Sequence, residues 1–184
     1  MKIVQQAISD VFLIEPKFHI DDRGYFFESY REDLINNILS YEINFIQENV
    51  SKSSKGVLRG LHYQLEPYAQ TKLIRVIEGK VLDVAVDIRK SSKTFGHHVA
   101  VELSADSNKQ LLIPKGFAHG FITLSNTSTL MYKVDNYFAP EYDRGIAFDD
   151  INLGIDWKIS KKSINLSDSD KKHSSFKKTL DLFD

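Results

Sequence analysis

The 184-residue chain contains no cysteine. That absence excludes disulfides and thiolate metal sites, and it is compatible with a reducing compartment. Neither sign of charge dominates: 24 Lys and Arg stand against 25 Asp and Glu, for a formal net charge of -1. The broad basic footprint of a protein that binds bulk nucleic acid is therefore missing, while enough cations remain to hold one anionic small molecule. The one basic cluster, KKHSSFKK at 171–178, is flanked by acids and reads as a solvated helical face. No hydrophobic run approaches the length of a membrane span, and Gln5, Gln6, Ser9 and Asp10 come too early for the core of a signal peptide. A soluble, cytoplasmic protein is expected, with no membrane partner. There is no internal repeat and no low-complexity linker. One domain over residues 1–184 is expected, long enough to bury a core without staples.

What the chain does contain is alternation. In VLDVAVDI (81–88), Leu82, Val84, Val86 and Ile88 share one face, and Val81, Asp83, Ala85 and Asp87 the other. HHVAVEL (97–103) alternates in the same way. TKLIRVIEGK (71–80) reads as a strand closed by a turn at Glu78-Gly79, and QLLIPKGFAHGFITL (110–124) as two strands around a Pro-Lys-Gly turn. LMYKVDNYF (130–138) is a further strand. Short strands between turn signals predict an all-β sandwich or barrel of the jelly-roll type. Helix is scarce. REDLINNILS (31–40) pairs Leu34 with Ile38 and Ile35 with Leu39, predicting one short outer helix. From about residue 158 the tail is more polar, and Ser167-x-x-Asp170 resembles a capping box that would start a short helix.

The segment GVLRGLHYQ (56–64) sets an Arg and a His into an apolar, Gly-broken strand. Strict alternation places His62 with Leu58, Gly60 and Gln64, and Arg59 with Val57 and Leu61 on the other face. Gly60 beside His62 removes bulk and leaves room for a ligand or a second backbone. A metal at His62 would need a second ligand nearby, but Gln64 stands where an H-x-H pair would put one. The adjacent His97 and His98 point to opposite faces. No metal is therefore expected. His119 sits between Gly116 and Gly120 and reads either as a packed strand residue or as a second polar group in a barrel lumen. Tyr132 shares the inward face of Leu130 and Val134, where a phenol needs a polar partner. Lys72 keeps apolar company with Ile74 and Val76, and Asp170 alone reads as a helix cap. A base, a phenol, a lysine and several arginines in one small β domain suit proton abstraction beside a carbonyl on an anionic substrate.

Six motifs in register now carry a resemblance: DDRGYFFES (21–29), FIQENVSKSSKGVLRGLHYQ (45–64), QTKLIRVIEGKVLDVAVDIRKSSKTFG (70–96), LLIPKGFAHGF (111–121), MYKVDNYFAPEYDRGIAFDD (131–150) and INLSDSD (164–170). From about residue 3 to about 173 the chain resembles the dTDP-4-dehydrorhamnose 3,5-epimerase family. The resemblance implies a cupin-like jelly-roll barrel with a few short helices. It also implies a homodimer sharing N-terminal strands, and neither metal nor organic cofactor. It assigns the base to His62, its carboxylate partner to Asp170, the proton donor to Tyr132 and a catalytic lysine to Lys72. Arg23, Glu28, Gln47, Asn49, Arg59, His119 and Phe138 fall on positions that line the substrate and nucleotide site. Val50 replaces a common His and Phe138 a common Tyr, which bears on the sugar or base accepted. The implied reaction is inversion at C3 and C5 of a nucleotide-diphospho-4-keto-6-deoxyhexose. The competing readings are inversion at one centre only, ketoisomerisation of a related dTDP-, GDP- or CDP-sugar, and a non-catalytic sugar-binding jelly roll.

Overall fold

The alternating segments form strands in the computed structural model, which describes residues 1–39, 41–179 and 181–184. In chain order the strands are β1 (Lys2–Gln5), β2 (Phe12–Glu15), β3 (His19–Asp21), β4 (Gly24–Phe26), β5 (Gln47–Ser54), β6 (Leu58–Gln64), β7 (Lys72–Glu78), β8 (Lys80–Asp87), β9 (His98–Ser104), β10 (Gln110–Ile113), β11 (Phe117–Thr123), β12 (Thr127–Val134) and β13 (Asp143–Gly145). One sheet runs β1-β2-β10-β7-β12-β5 and the other β13-β6-β11-β8-β9, with every named pairing antiparallel. Strands β3 and β4 form a separate hairpin. The architecture is the expected all-β, cupin-like jelly roll.

The two faces read from residues 81–88 bury against different partners. Val81 and Ala85 point between the sheets, where they meet Ile74, Val76, Leu111, Ile113, Phe117 and Leu130. Leu82, Val84, Val86 and Ile88 point outward, yet they are buried too, under Trp157, Phe148 and Phe176 from the last third of the chain. The outer face of the first sheet is covered in turn: Leu73, Leu112 and Ile14 pack under Ile35 and Ile43. Sheets covered on both faces explain why all seven residues of β11 are buried.

Three local expectations shift. The helix read over 31–40 is realised only as α1 (Glu32–Asn36), with Ile35 as its buried contact. The Asn36 side chain accepts the Ile43 backbone N–H at 2.8 Å and turns the chain there, and Ser40 lies outside the described residues. The strand read over 130–138 begins earlier, at Thr127, and stops at Val134. Beyond it the Asp135 carboxylate accepts the Thr71 backbone N–H at 2.7 Å and Asn136 donates to the Pro67 carbonyl at 2.8 Å, so polar side chains replace the ladder. Among the described residues the tail makes three 3₁₀ turns, Lys161–Ser163, Asp170–Lys172 and Phe176–Lys178, and isolated β-bridges through Asn165, Ser174 and Phe183, with no α-helix. It is less a solvated face than a cover: its lysines are exposed, but Phe176 is buried against the second sheet. Among the described residues no helix is long and apolar enough to cross a membrane.

Candidate active site

The site is built on an irregularity in β6. Opposite β11, His62 pairs with His119 and Arg59 with Phe121, so three steps on β6 answer two on β11. One extra residue at Gly60-Leu61 resets the alternation. Arg59 and His62, expected on opposite faces, both line the same cavity, while Leu61 packs outward. Glycine is required at the bulge. Gly60 has a φ of +115°, and a Cβ there would lie 2.6 Å from the Gly120 Cα and the His119 carbonyl oxygen. The cavity encloses about 510 Å³.

On its wall His62 Nε2 lies 2.5 Å from Asp170 Oδ1. The 3₁₀ turn Asp170–Lys172 delivers that carboxylate, and the Ser167 hydroxyl holds it, donating to Oδ2 at 2.8 Å while accepting the Asp170 backbone N–H at 3.0 Å. The capping role and the pairing with His62 thus coexist in one side chain. Burial pushes the Asp170 carboxyl up, but the His62 hydrogen bond and charge, the Ser167 hydrogen bond and the charge of His173 outweigh it and leave it at about 2. Asp170 is an anion at neutral pH. Accepting His62 Nε2–H, it fixes the tautomer and leaves Nδ1 as the basic nitrogen.

Three further groups converge. Tyr132, on β12 of the opposite sheet, lines the same cavity. Its burial raises the phenol pKa against the opposing effects of Arg59 and Asn49, so it stays protonated and able to donate. Lys72, at the start of β7, is held below the ordinary lysine range by burial, with Asp143 and Asp83 pulling the other way. His119 completes the wall and meets the fully buried Asp83 at 3.0 Å through Nε2. Arg59 is braced by donating Nε–H to Ser53 Oγ at 3.1 Å. The arrangement presents an imidazole–carboxylate pair, a protonated phenol on the opposing sheet, and Lys72 and Arg59 as cations on the same cavity wall.

The comparisons with known proteins fit that chemistry. Residues 5–178 match the family profile described as dTDP-4-dehydrorhamnose 3,5-epimerase. The chain belongs to the dTDP-4-dehydrorhamnose 3,5-epimerase family. Its relatives include the dTDP-4-dehydrorhamnose 3,5-epimerases of Shigella flexneri, 49% identical over 92% of this chain and 93% of that protein, and of Escherichia coli K12, 51% identical over 85% of each. The crystal structure of the Elizabethkingia anophelis epimerase superposes with a TM-score of 0.93 at 45% identity, over 96% of this chain and 97% of that one. The Legionella pneumophila epimerase, in complex with dTDP-4-keto-L-rhamnose, superposes with a TM-score of 0.91 at 42% identity, over 96% and 93%. This family member is an enzyme of the isomerase class.

Within this dTDP-4-dehydrorhamnose 3,5-epimerase family member, the fold unites His62, Lys72, Tyr132, Asp170, Arg59 and His119 in one cavity. It leaves the other expected residues elsewhere. Arg23 stands on the β3–β4 hairpin with its side chain 89% exposed and paired to Asp21. Glu28 lies near Arg31, at 3.8 Å. Gln47, Asn49 and Phe138 form a strip beside the cavity lining, with Asn49 against the Tyr132 phenol: Gln47 donates to Asn49 Oδ1 at 2.9 Å and accepts the Phe138 backbone N–H at 3.2 Å. Two groups at the site escaped sequence reasoning. Asp83 carried a signal, an acid inside an apolar strand. His173 carried none, because it sits in the lysine-rich run that reads as solvated.

Proposed function

We propose that this chain inverts C3 and C5 of dTDP-4-dehydro-6-deoxyglucose to give dTDP-4-dehydrorhamnose. The observation that carries the reading is the His62–Asp170 pair on the wall of a cavity whose opposite sheet presents Tyr132. The C4 ketone acidifies the hydrogens on C3 and C5. His62, neutral at Nδ1, removes one of them, and Asp170 stabilises the imidazolium that forms. Charge builds on the C4 oxygen as the enolate develops. Lys72 stabilises that charge, an effect amplified by its removal from water. Tyr132 returns a proton from the opposite face, inverting the centre, and the cycle repeats at the second carbon. Arg59 holds the diphosphate through charge-assisted hydrogen bonds.

Arg23, which the resemblance assigns to the substrate site and which would be a second cation for the diphosphate, is not part of its own chain's cavity lining. The hairpin that carries it also exposes Ile20 at 79%, with Tyr25 and Phe26 exposed beside it. A homodimer in which this hairpin reaches the other subunit's cavity covers that apolar surface and supplies Arg23. The decisive experiment is incubation with dTDP-4-keto-6-deoxyglucose in deuterium oxide, followed by NMR. Deuterium at C3 and C5 with both centres inverted is expected. Inversion at one centre only replaces the reading with a monoepimerase, and binding without exchange replaces it with a non-catalytic module.

A further inference from the structure

His173 is a half-buried imidazole beside the site with no task yet assigned. Its ring lies over Gly145, where any Cβ would collide with it. It packs edge-on against the His62 ring, with centroids 5.4 Å apart and planes at 82°. Its Nε2 is buried, makes no hydrogen bond, and faces Asp170 Oδ1 at 3.3 Å. One ligating atom each from His62, Asp170 and His173 lies within 4.8 Å of the other two. The buried nitrogen thus faces the carboxylate oxygen that His62 already engages.

We propose that His62, Asp170 and His173 form an inhibitory binding site for a borderline divalent metal ion, zinc above all. Two imidazole nitrogens and one carboxylate oxygen are a donor set that zinc accepts, with bonds of about 2.0–2.2 Å and donor atoms therefore about 3.3 Å apart in a tetrahedron. Asp170 and His173 already stand at that spacing. His62 and Asp170, at 2.5 Å, part by about 0.8 Å to reach it, and the two imidazoles offer nitrogens within 4.8 Å of each other. The consequence for His62 follows from its tautomer. A metal on Nε2 displaces the proton held toward Asp170, and the neutral ring then carries its proton on Nδ1. The nitrogen assigned to proton abstraction is no longer a base, while the arginine that holds the diphosphate is untouched.

The test has two arms, and only the second rests on the proposed epimerase reaction. In the first, metal-free full-length protein is titrated with zinc chloride against a chromophoric chelator, alongside His173→Phe, which keeps a ring over Gly145, and His173→Gln. One zinc per chain is expected, with affinity at least about tenfold weaker in both variants, since losing a ligand costs no less than losing the hydrogen-bonding support of one. In the second, zinc is expected to lower kcat for deuterium exchange in the wild type with KM unchanged. Chelator should restore the rate, and His173→Phe should keep its own rate when zinc is added. Equal zinc affinity in wild type and both variants, or no zinc bound by the wild type, overturns the proposal. Zinc bound through His173 in a protein that exchanges no deuterium overturns the epimerase reading and leaves the metal site standing.

Discussion

At the scale of single residues, the proposed chemistry divides labour between a base on one sheet and an acid on the other. His62→Ala is expected to remove solvent-deuterium incorporation at both carbons, a loss of at least about 10²–10⁴-fold, because it takes away the imidazole that Asp170 orients while leaving the His119–Asp83 pair in place. Exchange that survives at either carbon would assign that step to another side chain. Tyr132→Phe is expected to separate two rates that the wild type couples: washing deuterium into the substrate continues, while inversion slows. NMR time courses read both rates, and equal losses would remove Tyr132 from the donor role. The residue types of this site were legible in the chain. His62 and Tyr132 stood out as polar groups on apolar strands, and the linked motifs brought in Asp170 and Lys72. The placement of Arg59 was not legible, since period-2 alternation assumes an unbroken ladder and one inserted residue reverses every face beyond it. His173 was hidden for a different reason: its neighbours in sequence are solvated lysines, and the backbone and ring it packs on, Gly145 and His62, come from 28 or more residues away, on β13 and β6.

At the scale of elements, two features hold the scaffold in place. The first is the bulge in β6. Gly60→Ala sets a methyl group against the Gly120 backbone in a φ region that L side chains avoid, and no flexible atom can yield. A destabilisation of about 2 kcal/mol or more is expected, read as a lower urea midpoint, with activity falling because Arg59 and His62 share that kink. A variant as stable as the wild type would show that the two strands can part without cost. The second feature is Asp87 at the end of β8, fully buried and bonded by Arg89, Ser92, Thr94 and the Arg89 backbone N–H. Burial raises its carboxyl and those bonds more than reverse the effect, leaving it at about 2. A folded-state value below the unfolded one means the stabilisation is complete above about pH 4 and lost as pH falls toward 2, on the order of 2 kcal/mol in all. Urea denaturation at pH 5 and pH 3 is therefore expected to show a larger drop for the wild type than for Asp87→Asn, and equal drops would exclude the linkage. The strands themselves were readable from alternation, because an antiparallel sheet writes its two faces into the sequence. Their exact ends were not. Asn36, Asp135 and Asn136 stop elements by bonding to backbone far along the chain, which no local pattern records.

At the scale of the whole molecule, the hairpin bearing Arg23 gives a test of the proposed dimer that needs no structure of the complex. Mixed after co-refolding, Arg23→Ala and His62→Ala chains are expected to regain about a quarter of wild-type activity, since half the dimers form between unlike chains and each of those holds one intact site. A mixture no more active than its parts would place Arg23 outside the partner's cavity. The same scale explains the position of the acid. Asp170 lies on the stretch that, with Trp157 and Phe176, lines the outside of the second sheet, and it follows every barrel strand in the chain. A ribosome therefore releases the described strands, β1 to β13, before it releases the carboxylate proposed to orient the base. A nascent or C-terminally clipped polypeptide holds a nearly complete barrel with a greasy, unprotected flank and an idle imidazole. Proteolytic quality control that recognises exposed apolar surface would remove the same molecules that cannot turn over, so quality and competence are inspected in one step.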